Sequence, residues 1–167
     1  MEENSLMLPY KQIFKELNNA KIRYLIAGGF AVNFHGVNRY TADLDLIIHL
    51  ESSNTLAFIE VMEKLGYVPR VPVNPKDFAN ESKRTEWIEE KNMLVFTFIR
   101  PDNPFEIIDI FVRVPKPFNE MDSRKKMIST DDIIVPVVGL QDLIDMKEIA
   151  GRDKDILDLK KLNDLSK

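Results

Sequence analysis

At 167 residues, with 44% hydrophobic and 30% charged side chains, the chain has the length and make-up of one globular domain, which excludes disordered and fibrous classes. A formal charge of −4 excludes a surface that clamps nucleic acid all over, and the lack of cysteine removes disulfides, thiolate metal sites and Cys nucleophiles. Any metal must be held by oxygen ligands or by the two histidines.

The first residues are acidic, and no apolar run matches a signal-peptide core or a membrane span, so a cytoplasmic protein with no membrane partner is expected. Ile13, Phe14 and Leu17 predict an amphipathic helix over 9–19. The apolar run "IRYLIA", 22–27, is stopped by Gly28 and Gly29 and reads as a buried strand; "FAVNFH" then reads as a short helix closed by Gly36. Residues 43–50, "DLDLIIHL", have strand character. A helix follows, with Ser52, Ser53 or Asn54 as N-cap, Phe58, Val61, Met62 and Leu65 on one stripe, and Gly66 as its stop. Residues 68–75 read as a loop, and Asn74-Pro75 opens another helix running to residue 90. "MLVFTFI" and "FEIIDIFV", separated by the turn residues of 100–104, predict an antiparallel hairpin. "IIVPVV" reads as an edge strand, because Pro136 lacks a ladder amide. Two short helices, 141–150 and 153–165, are broken by Gly151. The expectation is a single α+β domain over 1–167, a mixed β-sheet covered by helices with a helical end from about 140; order alone does not fix the topology.

The chemistry centres on Asp43 and Asp45. Side chains alternate along a strand, so both point the same way with Cα atoms about 6.5–7 Å apart. Two ionised carboxylates at that spacing repel unless solvent or a cation compensates. Mg²⁺, which takes one or two carboxylates plus phosphate oxygens and water, suits the pair. Asp109 stands among Ile107, Ile108, Ile110 and Phe111, where a strand buried on both faces should be apolar. If its strand lies beside that of Asp43 and Asp45, the three acids could hold one or two Mg²⁺ ions for phosphoryl or nucleotidyl transfer. Gly28 and Gly29 fit as the phosphate side, where backbone amides approach closely.

"LIAGG", "DLD" and "IIDIF", in this order, resemble the nucleotidyltransferase superfamily, the fold shared with DNA polymerase beta. "RYTADLD" looks like the Arg-x-Thr-x-Asp-x-Asp of small bacterial and archaeal members. The closing "KEIAGRDKDILDL" is similar to members akin to AbiEii-type toxins and to minimal lincosamide and aminoglycoside nucleotidyltransferases. The resemblance covers about residues 22–50, 93–113 and 140–162. It implies a nucleotidyltransferase fold, NMP transfer from an NTP, Asp43, Asp45 and Asp109 as metal ligands, Gly28 and Gly29 as triphosphate contacts, and Lys147 as a nucleotide contact. The second glycine-motif position is Gly29 rather than Ser, so only backbone serves there.

Arg39 is read either as a γ-phosphate contact or as the partner of a surface carboxylate, and Thr41 as a residue positioning its loop. His35 and His49 read as ordinary hydrogen-bonded histidines. Lys147, Arg152 and Lys154 could form a cationic rim, and Asp155 and Asp158 could brace the last two helices or orient Lys147. Residues 123–126, "SRKK", read as exposed charge, and Trp87, Phe96 and Phe98 as core. The leading expectation is an Mg²⁺-dependent transfer of NMP from an NTP to a hydroxyl or phosphate of a tRNA, protein or small-molecule acceptor. Alternatives are a toxin restrained by a cognate antitoxin, and an inactive domain that only binds nucleotide or protein.

Overall fold

The computed structural model describes residues 10–167. Helix α1 (Lys11–Asn19) buries Ile13, Phe14 and Leu17 at the expected spacing; Pro9, where that helix was expected to begin, lies outside the described residues. Strand β1 (Tyr24–Ala27) is buried throughout, and α2 (Gly28–Phe34) follows with no intervening residue, so both glycines belong to the first turn of a helix. Strand β2 (Leu44–Ile48) leads to α3 (Ser52–Lys64). None of the three expected N-caps caps α3, which begins after Glu51. The Asn54 side chain instead accepts from Arg23 N and donates to Arg23 O and His49 O, fastening the entrance of β1 to the exit of β2.

The segment expected as a loop contains a two-residue strand, β3 (Val68–Pro69). The single helix expected after it is two, a 3-10 turn (Pro75–Ala79) and α4 (Glu81–Lys91), because Asn74 and Asn80 each cap a start by accepting from Lys76 N and Lys83 N. The hairpin β4 (Val95–Arg100) and β5 (Asn103–Phe111) is as expected, with a tighter turn. Helix α5 (Phe118–Ser123), strands β6 (Lys126–Thr130) and β7 (Ile133–Val137), and helices α6 (Leu140–Ala150) and α7 (Asp153–Leu165) complete the chain.

The sheet is mixed, in the order β3-β4-β5-β2-β1-β7-β6, with β2–β5 and β1–β7 parallel and the other pairs antiparallel. Strand β7, "IIVPVV" in the sequence, is not an edge: β6 covers it, using Lys126 from the run read as exposed charge. Pro136 is tolerated because β1 meets β7 only at Ile26 and Val137, with Val138 N donating to Ile26 O; the next rung back would need an amide at Pro136. Arg124 of the same run is also engaged, pairing with the buried Asp142.

Leu44 and Leu46 of β2, Ile108 and Ile110 of β5, and Phe96 and Phe98 of β4 are register neighbours and fully buried on one face. Phe58 of α3, Phe78 of the 3-10 turn and Trp87 of α4 stack or edge onto Phe96 and Phe98 at centroid distances of 5.0–6.0 Å, making an aromatic core. Burying six such side chains stabilises by roughly 1.5–3 kcal/mol each before entropy is counted. By alternation, residues 45, 97 and 109 face the other way.

Candidate active site

Parallel pairing of β2 with β5 places Asp45 directly opposite Asp109, and antiparallel pairing of β4 with β5 places Thr97 opposite Asp109. Thr97, Asp109 and Asp45 therefore form one row across three strands, on the face away from the aromatic core. Thr97 Oγ1 donates to Asp109 Oδ1 at 2.6 Å, fixing that carboxylate. Asp43, two residues before Asp45, lies exposed at the mouth of β2. The Tyr10 hydroxyl donates to Ala42 O at 2.6 Å and accepts from Ile107 N at 3.3 Å, joining the approaches to both aspartate strands. Burial pushes its pKa up to about 12, so it stays a neutral donor.

Burial, then the charges of Asp109 and Asp43, push the Asp45 carboxyl up to about 7, against the pull of Lys147 and Lys154. Asp43 is also raised, by partial desolvation of its carboxyl against the neighbouring chain and by Asp109, with Arg70 and Lys154 opposing. Among the described residues no three His, Asp or Glu side chains form a ready metal cage. The aspartates share a face without closing on one point. Such an open, all-oxygen set fits a hard ion that keeps water and phosphate ligands of its own.

Gly28 has φ +61°, in the left-handed region, and a Cβ there would stand 2.6 Å from Asp45 Cγ. Only glycine lets the helix begin in contact with that carboxyl. Gly29 is equally crowded: a Cβ would stand 2.7 Å from Thr41 Cβ and closer still to its hydroxyl oxygen. The turn thus leaves backbone, with no side chain, beside the carboxylates.

Behind the turn lies an ion cluster. Lys147 of α6 is buried and pairs with Asp155 Oδ1 at 2.9 Å and Asp158 Oδ2 at 3.2 Å, both acids of α7 being buried too. Arg152 Nε also donates to Asp155 Oδ2, at 2.7 Å. Burial opposes charge on Asp155, but the hydrogen bonds from Arg152 and Lys147 outweigh it and hold the group at about 2. Arg39 pairs with Asp158, a carboxylate buried in this cluster and not at the surface as expected. Its backbone N donates to Asn33 Oδ1 at 3.1 Å, tying the loop before β2 to α2. His35 Nε2 is hydrogen-bonded to Val138 O at 2.7 Å, and the His49 ring packs against Phe118.

No family model matches the sequence, and no curated protein does. Solved structures do. The lincosamide antibiotic adenylyltransferase LnuA, solved with lincomycin bound, aligns with a TM-score of 0.60 at 15% identity, over 92% of this chain and 94% of that one. ANT(2″)-Ia, solved in complex with adenylyl-2″-tobramycin, gives 0.58 at 15% identity over 97% and 94%. A nucleotidyltransferase-like protein from Paracoccidioides brasiliensis gives 0.58 at 15% identity over 95% and 75%. The chain has the nucleotidyltransferase fold.

Within this nucleotidyltransferase fold, Asp45 and Asp109 meet across two strands whose sequence separation hides their pairing, with Asp43 on the same side. Lys147 and Arg39 have buried carboxylates as partners, while Arg70 and Lys154, both exposed, are the cations acting on Asp43. Sequence reasoning passed over Thr97, Tyr10 and Arg70. Thr97 was within reach: in "FTF" the alternation puts a hydroxyl on the face opposite two phenylalanines. Nothing local marks Tyr10 or Arg70, whose relevance comes from pairing with distant segments.

Proposed function

We propose that the chain is an Mg²⁺-dependent nucleotidyltransferase that moves NMP from an NTP to an acceptor hydroxyl or phosphate. The observation that carries this reading is the register of Asp45 against Asp109, with the side-chain-free Gly28 turn packed on the Asp45 carboxyl. Asp43, Asp45 and Asp109 would hold Mg²⁺ arriving with the nucleotide, whose charge offsets that of the triphosphate and the leaving pyrophosphate. Amides of the Gly28–Gly29 turn receive phosphate oxygens. Asp109 presents Oδ2 to the acceptor because Thr97 occupies Oδ1, and that oxygen takes the acceptor's proton as the new bond forms. Exposed Arg70 and Lys154 attract the polyphosphate. Lys147 and Arg39 serve the same site from behind, holding α7 and the loop before β2 in place.

Small-molecule acceptors come first in the assay, since two structural neighbours were solved with an antibiotic or its adenylylated product. The chain is incubated with α-labelled NTPs, Mg²⁺ and, separately, lincomycin, tobramycin, total tRNA and no added acceptor. Label should move from at least one NTP, and Asp43→Ala and Asp109→Asn should each lose transfer by about 100-fold or more while keeping the wild-type circular dichroism spectrum. A wild-type chain that neither binds an NTP nor transfers label refutes the proposal.

A further inference from the structure

The loop before β2 carries a hydroxyl that pairs with none of the described residues. Thr41 is 8% exposed, yet its Oγ1 makes no hydrogen bond among the described residues. Every fully buried side-chain nitrogen or oxygen among those residues does have a partner, so this oxygen must keep a narrow opening. A ligand that closed this opening without accepting from the hydroxyl would leave it buried and unpaired, which is costly. It packs on the Cα of Gly29, in the space a side chain at that position would fill.

Thr41 is also held firmly. Two residues before it, Arg39 is fixed by Asp158 through its side chain and by Asn33 through its backbone. One residue after it, Ala42 O accepts from the Tyr10 hydroxyl. A donor anchored on both sides requires little reordering to meet a ligand, which is the condition under which one hydrogen bond contributes most.

We infer that the Thr41 hydroxyl donates a hydrogen bond to a phosphate oxygen of the bound triphosphate, supplying from the neighbouring loop the hydroxyl that Gly29 lacks. The inference rests on the nucleotide-binding reading of the Gly28–Gly29 turn. It makes Gly29 and Thr41 a matched pair: the bare position on the helix exists because the threonine occupies it. A serine at residue 29 beside Thr41 would collide, and the two solutions exclude each other.

The test is calorimetric binding of a nonhydrolysable ATP analogue with Mg²⁺ to the full chain, alongside thermal unfolding. Thr41→Val keeps the shape and removes the donor; affinity should fall about ten-fold or more, as for hydrogen bonds to charged groups, with no drop in melting temperature. Thr41→Ser should bind within about three-fold of wild type. Gly29→Ser alone should lose affinity by collision, and Gly29→Ser with Thr41→Gly should bind more tightly than either single variant. The inference is overturned if Thr41→Val binds as tightly as wild type, or if Thr41→Ser is as weak as Thr41→Val. A wild-type chain that does not bind the analogue removes the nucleotide reading itself, and this inference with it, which is distinct from tight wild-type binding that ignores Thr41.

Discussion

Asp45→Asn is expected to stabilise the ligand-free chain at pH 8 while abolishing binding of the Mg²⁺–nucleotide complex. Asp45 is pushed up to about 7 from an ordinary 3.8, mainly by burial and then by Asp109 and Asp43. The folded chain therefore holds the proton more tightly than the unfolded one. For an acid raised in this way, stability falls as pH rises from about 4 to about 7 and is level above that. About three pH units at 1.36 kcal/mol each give at most about 4 kcal/mol. Solvent reaches part of Asp45, and its two acidic neighbours relax when it is neutral, so about 1–2 kcal/mol is the working figure. For a chain of this size that is a rise of about 2–8 °C in melting temperature. Urea and thermal unfolding in EDTA at pH 8 and pH 5 measure it, with a clearly smaller gain at pH 5, where the wild-type carboxyl is already protonated in the folded state. The reasoning is refuted if Asp45→Asn is no more stable than wild type at pH 8, or if the gain is the same at both pH values.

Gly28→Ala puts a Cβ 2.6 Å from Asp45 Cγ at φ +61°, so unfolding should be easier by about 1–3 kcal/mol and nucleotide affinity should be lost; melting curves and calorimetry read the two effects separately. Asp158→Ala leaves the buried Lys147 with Asp155 alone and releases Arg39, for an expected loss of about 2–4 kcal/mol in urea unfolding, since removing one acid from a buried cluster leaves its cations under-compensated. A double-mutant cycle of Asp158→Ala with Arg39→Ala should show coupling of about 1–3 kcal/mol, and simple additivity would mean that the pair does not join α7 to the loop.

Some features were written locally. Periodicity marked α1 and α3, since a helix needs its buried stripe within a few turns, Gly151 marked the break between α6 and α7, and the β4–β5 hairpin was readable because its strands are neighbours in sequence. The Asp-x-Asp pair and the adjacent glycines stand within one short stretch and share its backbone geometry. Local signals misled where two neighbours competed. Asn80 restarted a helix that Asn74 had begun, Asn54 left its expected cap to join Arg23 and His49, and the segment from Lys126 to Thr130 supplied an edge strand that turned β7 inward.

By itself the sequence determined which residue types could do chemistry here: three aspartates with no thiolate, two glycines free to crowd a ligand, and a spacing that puts Asp43 and Asp45 on one side. Only the tertiary structure decided which of them meet. Parallel pairing of β2 with β5 set Asp45 against Asp109, the sheet order put Thr97 beside that pair, and a loop folded Thr41 onto Gly29. Strand register is chosen by the buried faces, where Leu44 and Leu46 must match Ile108 and Ile110 across the core, and a slip of one residue would turn every acid to the wrong side.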